Sequence, residues 1–253
     1  SHLINKINNK DRVHLLYGDL RDYISIQDVM SKCKPDFVFH LAAQSYPKSS
    51  FESPLDTFET NIQGTARILE AIRKDKNLRE KTVIHVCASS EVFGRVAKEK
   101  LPIDEECTFH PASPYAISKV GTDLVGRYYA EAYNMTVMTT RMFTHTGPRR
   151  GDVFAESTFA KQIAMIEQGL IEPIVKTGNL DSMRTFADVR DAVRAYYLLV
   201  KECKPGEVYN IGGNRTMKIG DMLNYLISQS TRKNEIKIEV DPELLRPSDV
   251  TLH

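Results

Sequence analysis

The chain has no tryptophan and, with 34 basic against 33 acidic residues, no excess charge of either sign. A balanced surface sets up no broad field that would attract nucleic acid or an anionic membrane, so neither partner is expected. The four cysteines, Cys33, Cys87, Cys107 and Cys203, form no C-x-x-C pair and have no histidine at zinc-binding spacing. They read as free thiols of a reducing compartment, and no metal site is expected. No apolar run approaches the roughly 20 residues of a membrane span, and no signal-peptide pattern is present, so the expected location is cytoplasmic. The 13 glycines include no G-x-G-x-x-G and no G-x-x-G-x-x-G. A dinucleotide fold needs such a turn, because close backbone approach to a pyrophosphate at a helix N-terminus demands glycine. Either the fold is of another kind, or the amino-terminal βαβ portion of such a fold is missing from these 253 residues; the polar opening Ser1 to Lys10, read as a loop or frayed helix, favours the second.

What is present is a core-forming composition, 42% hydrophobic and 26% charged, sufficient for one large domain or two unequal ones. Val13 to Tyr17 is a strand candidate, followed by the turn Gly18 to Asp22 and a helix to about Cys33, capped by Asp22 or Ser25. Asp36 to Ala43 is a short continuous apolar run, as expected of a strand buried on both faces. Apolar residues at spacings of three and four predict one helix from Pro54 to Arg73, and Thr82 to Ala88 reads as a second buried strand. A helix over Tyr115 to Tyr133, with Thr122 and Asp123 on polar positions, leads to a strand over Met135 to Met142 and a loop through Gly147, Pro148 and Gly151. Beyond it the pattern predicts helices at 154–169, 189–201 and 219–230 and strands at 174–176, 207–211 and 236–240. Strands alternating with helices imply an α/β fold, a Rossmann-like doubly wound parallel sheet with a smaller α/β substrate-binding portion. Residues 1–150 are expected to form a partial dinucleotide-binding domain. Residues 151–253 are expected to be mainly the portion that binds substrate, with some segments returning to the first domain.

One helix carries chemistry. Tyr115 and Lys119 are four apart, on one face and one turn from each other. An ammonium near a phenol favours the phenolate of a group whose unperturbed pKa is about 10, which makes the tyrosine a base for an alcohol proton. Ser89, Ser90 and Glu91 follow the strand that ends at Ala88, and open α/β sheets bind ligands at the carboxyl ends of their strands. His40 and His85 lie in apolar strands and read as core histidines.

Taken in order, Gly18-Asp19-Leu20, His40-Leu41-Ala42-Ala43-Gln44-Ser45, Asn61, Ser89-Ser90-Glu91-Val92-Phe93-Gly94, Tyr115 with Lys119, Pro148-Arg149-Arg150-Gly151, Gly178 to Arg184 and Arg246-Pro247 span nearly the whole sequence. With these motifs the chain resembles the extended short-chain dehydrogenases/reductases, and among them the GDP-mannose 4,6-dehydratase family most closely. The resemblance implies a lyase that binds NADP, with NAD the lesser expectation, takes a nucleotide sugar such as GDP-mannose, and works as a homodimer or homotetramer. It assigns catalysis to Ser89, Glu91, Tyr115 and Lys119. It assigns cofactor contacts to Asp19, Leu20, Leu41, Ala42, Ala43, His145 and Arg150 in addition to Tyr115 and Lys119, and substrate contacts to Ser45, Ser90, Thr144, Arg184 and Arg246. Asn61 is implied as a structural or relay hydrogen bond, and the Arg149-Arg150 loop as one that reaches a neighbouring subunit's cofactor. Thr144 departs from the pattern, which has Asn there, so a contact to the sugar or diphosphate is lost or passes through water.

Glu91 selects the reaction. A simple reductase needs only a hydroxyl, a Tyr and a Lys, whereas a 4,6-dehydration must also remove the proton on sugar C5 and expel the C6 hydroxyl. The resemblance implies C4 oxidation with Tyr115 as base, C5 deprotonation by Glu91, loss of water helped by the same carboxyl or Ser89, and return of the hydride to C6, so that net redox is zero. A 4-keto-6-deoxy nucleotide-sugar reductase or epimerase of the same family is the rival reading, and a non-catalytic nucleotide-binding protein is the rival from another class.

Overall fold

The computed structural model describes residues 12–247; the loop or frayed helix expected at Ser1 to Lys10 lies outside them. Helix α1 (Tyr23–Cys33) begins where Asp22 accepts from the Ile24 amide and ends where Lys34 turns left-handed at φ 45°, a reversal just before Pro35. Strand β1 (Phe37–His40) follows, then α2 (Pro47–Glu52), α3 (Pro54–Phe58), a π-helical turn (Glu59–Gln63) and α4 (Gly64–Lys74). The single helix expected over 54–73 is thus interrupted. At the π turn the Asn61 carbonyl accepts from Thr65 Oγ1 at 2.6 Å and from Thr122 Oγ1 at 3.1 Å, side-chain donors that compete with the helical ladder.

After α5 (Lys76–Lys81) come β2 (Val83–Cys87), α6 (Pro114–Tyr133) and β3 (Val137–Met142). Together with β7 (Val208–Ile211) these strands build a parallel sheet of order β1-β2-β3-β7, in the register Phe37 to Val83, Ile84 to Val137 and Thr139 to Val208. Parallel strands align their carboxyl ends on one edge, so residues 41, 88 and 143 emerge side by side. Ile84 and Val86 face the cluster made with α1, α4 and α6. Cys87 faces the other way, against α8 (Val189–Glu202), as the two-residue period of a strand requires.

A second lobe is built from α7 (Ala155–Glu167), β5 (Ile174–Thr177), β6 (Met183–Asp188), β8 (Arg215–Lys218), α9 (Ile219–Ser228) and β9 (Lys237–Val240), with β4 (His145–Thr146) pairing to β6. Phe159, Ile163, Ile166, Val175, Met222 and Leu223 form its core. Of its half of the sequence, β7 and α8 join the first sheet.

Several expectations are corrected. Val13 to Tyr17 forms no strand: Leu15, Leu16 and Tyr17 are exposed, and no ladder partner joins the segment among the described residues. β1 is not buried on both faces, because Phe37 and Phe39 lie open at a sheet edge. Asp123 is not on a polar face; it is fully buried and paired with Arg141, itself 2% exposed, at 2.7 Å. Arg141 also donates to the Glu105 carbonyl at 2.7 Å and stacks 4.7 Å from the Phe109 ring centre, which ties the loop after Ser89-Ser90-Glu91 to the central strand. Strands β6 and β8 were not anticipated, since Met183 to Asp188 has no clean alternation and only its antiparallel partner makes it a strand.

Two measurable consequences follow from these buried groups. Arg141→Met leaves the buried Asp123 carboxylate with only the partly exposed Arg127, 3.0 Å away, and should cost about 3 kcal/mol in urea unfolding, whereas Arg141→Met with Asp123→Leu should recover most of that loss. The second concerns pH. Burial, reinforced by the Lys119 charge, pushes His40 down to about 3 and His85 to about 4. Both folded values lie below the unfolded one of about 6.5, so the unfolded chain binds more protons as pH falls. Stability is complete above about pH 6.5 and should decline progressively toward the folded values, measurable as a falling Tm.

Candidate active site

A cleft of about 780 Å³ opens at the carboxyl ends of β1, β2 and β3 and is closed on its far side by the second lobe. Leu41, Ala43 and Ser45 enter it from the end of β1, Cys87 to Glu91 from β2, Tyr115 and Lys119 from α6, and Thr144, His145 and Arg150 from the segment after β3. Arg184 and Arg246 line its opposite wall.

Helix α6 is started at a defined point: Ser113 accepts from the Ala116 amide at 3.0 Å, and Pro114 occupies the first turn. This fixes the angular position of Tyr115 and Lys119. Lys119 is 6% exposed and donates to the Cys87 carbonyl at 2.7 Å, with its ammonium 5.9 Å from the centre of the Tyr115 ring. Burial lowers the lysine's pKa. Burial raises the Tyr115 phenol above its usual range, opposed by a hydrogen bond from Ser89 and by the Arg150 charge. In this geometry the lysine is engaged with the strand end, and desolvation is the largest influence on the acidity of the phenol.

Asn61 supplies the scaffold. Its side-chain amide donates to the Gln44 carbonyl at 2.9 Å and to Ser118 Oγ at 2.8 Å, while its carbonyl oxygen accepts from the Gln44 amide at 2.8 Å. One side chain therefore binds the loop after β1 to the helix of Tyr115. On the other side, Ser89 accepts from the Glu91 amide at 3.2 Å and caps the 3₁₀ turn Ser90–Phe93. Gly94 closes the turn at φ 56°, where an added Cβ would fall 1.5 Å from the His110 carbonyl oxygen; only glycine fits this approach. The turn delivers Glu91 to the cleft beside Tyr115.

His145 is held by a contact from Nδ1 to the Phe143 carbonyl at 3.2 Å, and burial lowers its pKa. Thr144 offers its carbonyl to the Ala187 amide at 2.9 Å. Arg150 turns inward, donating to the His145 carbonyl at 2.9 Å and pairing with Glu156 at 2.6 Å within the same chain. Three sequence candidates are not brought to the cleft wall. Asp19 is bound by Arg21 at 3.1 Å on an exposed surface, Leu20 is packed against Gly64 and the core, and Ala42 is not part of the lining that includes Leu41 and Ala43. The hydrogen bond from Arg21 explains why the Asp19 carboxyl is held below its usual range.

Other lining residues escaped the sequence reading. Lys48 donates to the Glu243 carbonyl at 3.2 Å. Tyr196 is 6% exposed, with its hydroxyl 3.6 Å from Cys87 Sγ and its ring 4.4 Å from that of His85. Glu156, in the first turn of α7, looks in sequence like ordinary acidic helix-start chemistry. The apolar period of α8 marks the buried face that carries Tyr196, but periodicity does not reveal that this face borders a cleft. His85 is a core histidine bonded to Thr140 at 2.8 Å through Nε2, while its buried Nδ1 has no partner among the described residues.

Comparison with known proteins gives the family of the chain. A family model described as GDP-mannose 4,6 dehydratase matches residues 1–253. The GDP-6-deoxy-D-mannose reductase of Pseudomonas aeruginosa is 33% identical over 231 residues, covering 91% of this chain and 74% of that protein. The GDP-mannose 4,6-dehydratase of Vibrio cholerae is 36% identical over 191 residues, covering 76% of this chain, and the match spans 50% of its own length. Among solved structures, RMD from Pseudomonas aeruginosa complexed with NADPH superposes with a TM-score of 0.79 at 31% identity, covering 94% of this chain and 76% of that one. The UDP-glucose 4-epimerase of Thermus thermophilus, at 22% identity and a TM-score of 0.80, shares the fold. With its α/β fold, its parallel sheet and a family match along all 253 residues, the chain belongs to the GDP-mannose 4,6-dehydratase family, a family of hydro-lyases.

Proposed function

We propose that the protein is a nucleotide-sugar 4,6-dehydratase that converts GDP-mannose to GDP-4-keto-6-deoxymannose. The observation that carries this reading is the entry of Glu91 into the same cleft as Ser89, Tyr115 and Lys119. The cleft fits the nicotinamide end of a dinucleotide. Leu41 and Ala43 offer a flat apolar wall at a strand end, and buried Lys119 has ammonium donors beyond the one given to Cys87. NADP, supported by the NADPH complex of the Pseudomonas aeruginosa relative, would be held by these residues with Tyr115 and His145. When bound it supplies reversible hydride acceptance, so oxidation and reduction cancel over the cycle.

The chain's own residues do the rest. Tyr115 takes the proton of the C4 hydroxyl, and Lys119 holds the ammonium charge close to the phenol as it ionises. The 4-ketone acidifies C5, where Glu91 removes the proton, and Ser89 or the newly protonated Glu91 assists departure of the C6 hydroxyl as water. Arg184 and Arg246 are the fixed cations for the diphosphate, since arginine meets phosphate oxygens in pairs. In this reading Ser45, Ser90 and Thr144 contact the sugar nucleotide. The first lobe serves the cofactor, the second serves the nucleotide sugar, and the enzyme works in the cytoplasm as a homo-oligomer. No helix among the described residues is long and apolar enough to cross a membrane.

Similarity to a GDP-6-deoxy-D-mannose reductase over 91% of the chain favours a second reading, a 4-keto sugar reductase. Such a reaction removes no C5 proton and leaves Glu91 without a task. Mass spectrometry of GDP-mannose incubated with the protein and catalytic NADP separates the two, with loss of one water expected. Glu91→Gln should lower that turnover by about 10²–10⁴-fold while NADP binding stays unchanged. Full dehydration by the variant, or a product formed only from a 4-keto substrate with stoichiometric NADPH, would contradict the dehydratase reading.

A further inference from the structure

Arg150 and Glu156 both line the cleft, with Nε and Oε1 2.6 Å apart and side chains 23% and 12% exposed. A well-formed guanidinium–carboxylate pair makes two parallel hydrogen bonds. This one makes none through the atoms in contact: Nε and Oε1 are both shut off from water, and neither has an aligned hydrogen-bond partner among the described residues. The two charges touch without satisfying each other, which is costly for groups removed from solvent. The guanidinium is meanwhile oriented without Glu156. Its Nη1 donates to the His145 carbonyl at 2.9 Å, and its Cζ lies 3.9 Å from the centre of the Phe154 ring. Glu156 therefore neutralises Arg150 more than it positions it.

We propose that Glu156 is an intramolecular stand-in for phosphate, occupying Arg150 until a phosphoryl oxygen of a bound nucleotide displaces it, and thereby setting the affinity of the cleft for nucleotides. A phosphate presents several oxygens to one guanidinium and restores the aligned bonds that the carboxylate lacks. The displaced carboxylate stays in the first turn of α7, where the positive end of the helix dipole favours it. Weak anions do not repay the exchange, so Arg150 is screened from them. This inference rests on the reading of the cleft as a nucleotide site and adds a residue that tunes it. The phosphate belongs either to the nucleotide sugar or to the dinucleotide, and separate titrations tell them apart.

Isothermal titration of the protein, Glu156→Gln, Arg150→Gln and the double variant with GDP, and separately with NADP, tests the proposal. The nucleotide whose phosphate takes Arg150 should bind Glu156→Gln about three- to tenfold more tightly and Arg150→Gln about tenfold more weakly. Adding Glu156→Gln to Arg150→Gln should change nothing further. Glu156→Asp, which keeps the charge but withdraws it by one methylene, should also bind more tightly, and supplies the test should the Gln variant melt early. Weaker or unchanged binding by the Glu156 variants in both titrations overturns the proposal. Failure of the unaltered protein to bind either nucleotide overturns it together with the nucleotide-site reading.

Discussion

The hydrogen bond from Lys119 to the Cys87 carbonyl is the constraint on which the site depends. It joins the helix that carries Tyr115 to the end of the strand that leads to Ser89 and Glu91, a tie that adds to the hydrogen bond between Ser89 and the Tyr115 phenol. A buried ammonium needs acceptors, because desolvation disfavours its charge; the last carbonyl of β2 provides one. The helix is thereby registered against the sheet edge. Asn61 adds the third side of the frame by bonding both the loop after β1 and Ser118 on the same helix. The π turn at Glu59–Gln63 points Asn61 at both partners, and this accounts for an irregularity where the sequence pattern called for a straight helix.

Much of this was legible in the sequence for physical reasons. Helix α6 declares itself through Ser113 and Pro114, and β2 and β3 through continuous β-branched and apolar runs, because buried parallel strands tolerate little else. The Tyr-x-x-x-Lys spacing marks a helix face that borders the cleft, and the strand ends mark where the cleft opens. What escaped depended on partners distant in sequence. Val13 to Tyr17 has the composition of a strand, but composition does not supply a ladder neighbour. Asp123 looks like a solvated helix residue until Arg141, 18 residues later, is seen against it. Asp19 follows a run with the composition of a strand, yet Arg21 two residues on captures its carboxylate. Glu156 and Tyr196 carry no local signal of function, since only the folded chain brings α7, of the second lobe, and α8, packed on the first sheet, to one cleft.

The chemistry then turns on a difference of one carboxylate. Tyr115, Lys119 and a serine suffice for moving a hydride and a proton. The turn fixed by Ser89 and Gly94 adds the Glu91 carboxylate to that lining, and in the proposed reading it is the second base that makes elimination of water accessible after oxidation at C4. Because the hydride removed from C4 returns to the same molecule, the account requires internal transfer. The most direct measurement uses GDP-mannose deuterated at C4, with mass and NMR analysis of the product formed in ordinary water. The account predicts that the deuterium is retained and found at C6, with one water lost and no net consumption of NADP; loss of the label to solvent, or a product that requires one equivalent of oxidised dinucleotide, would contradict it.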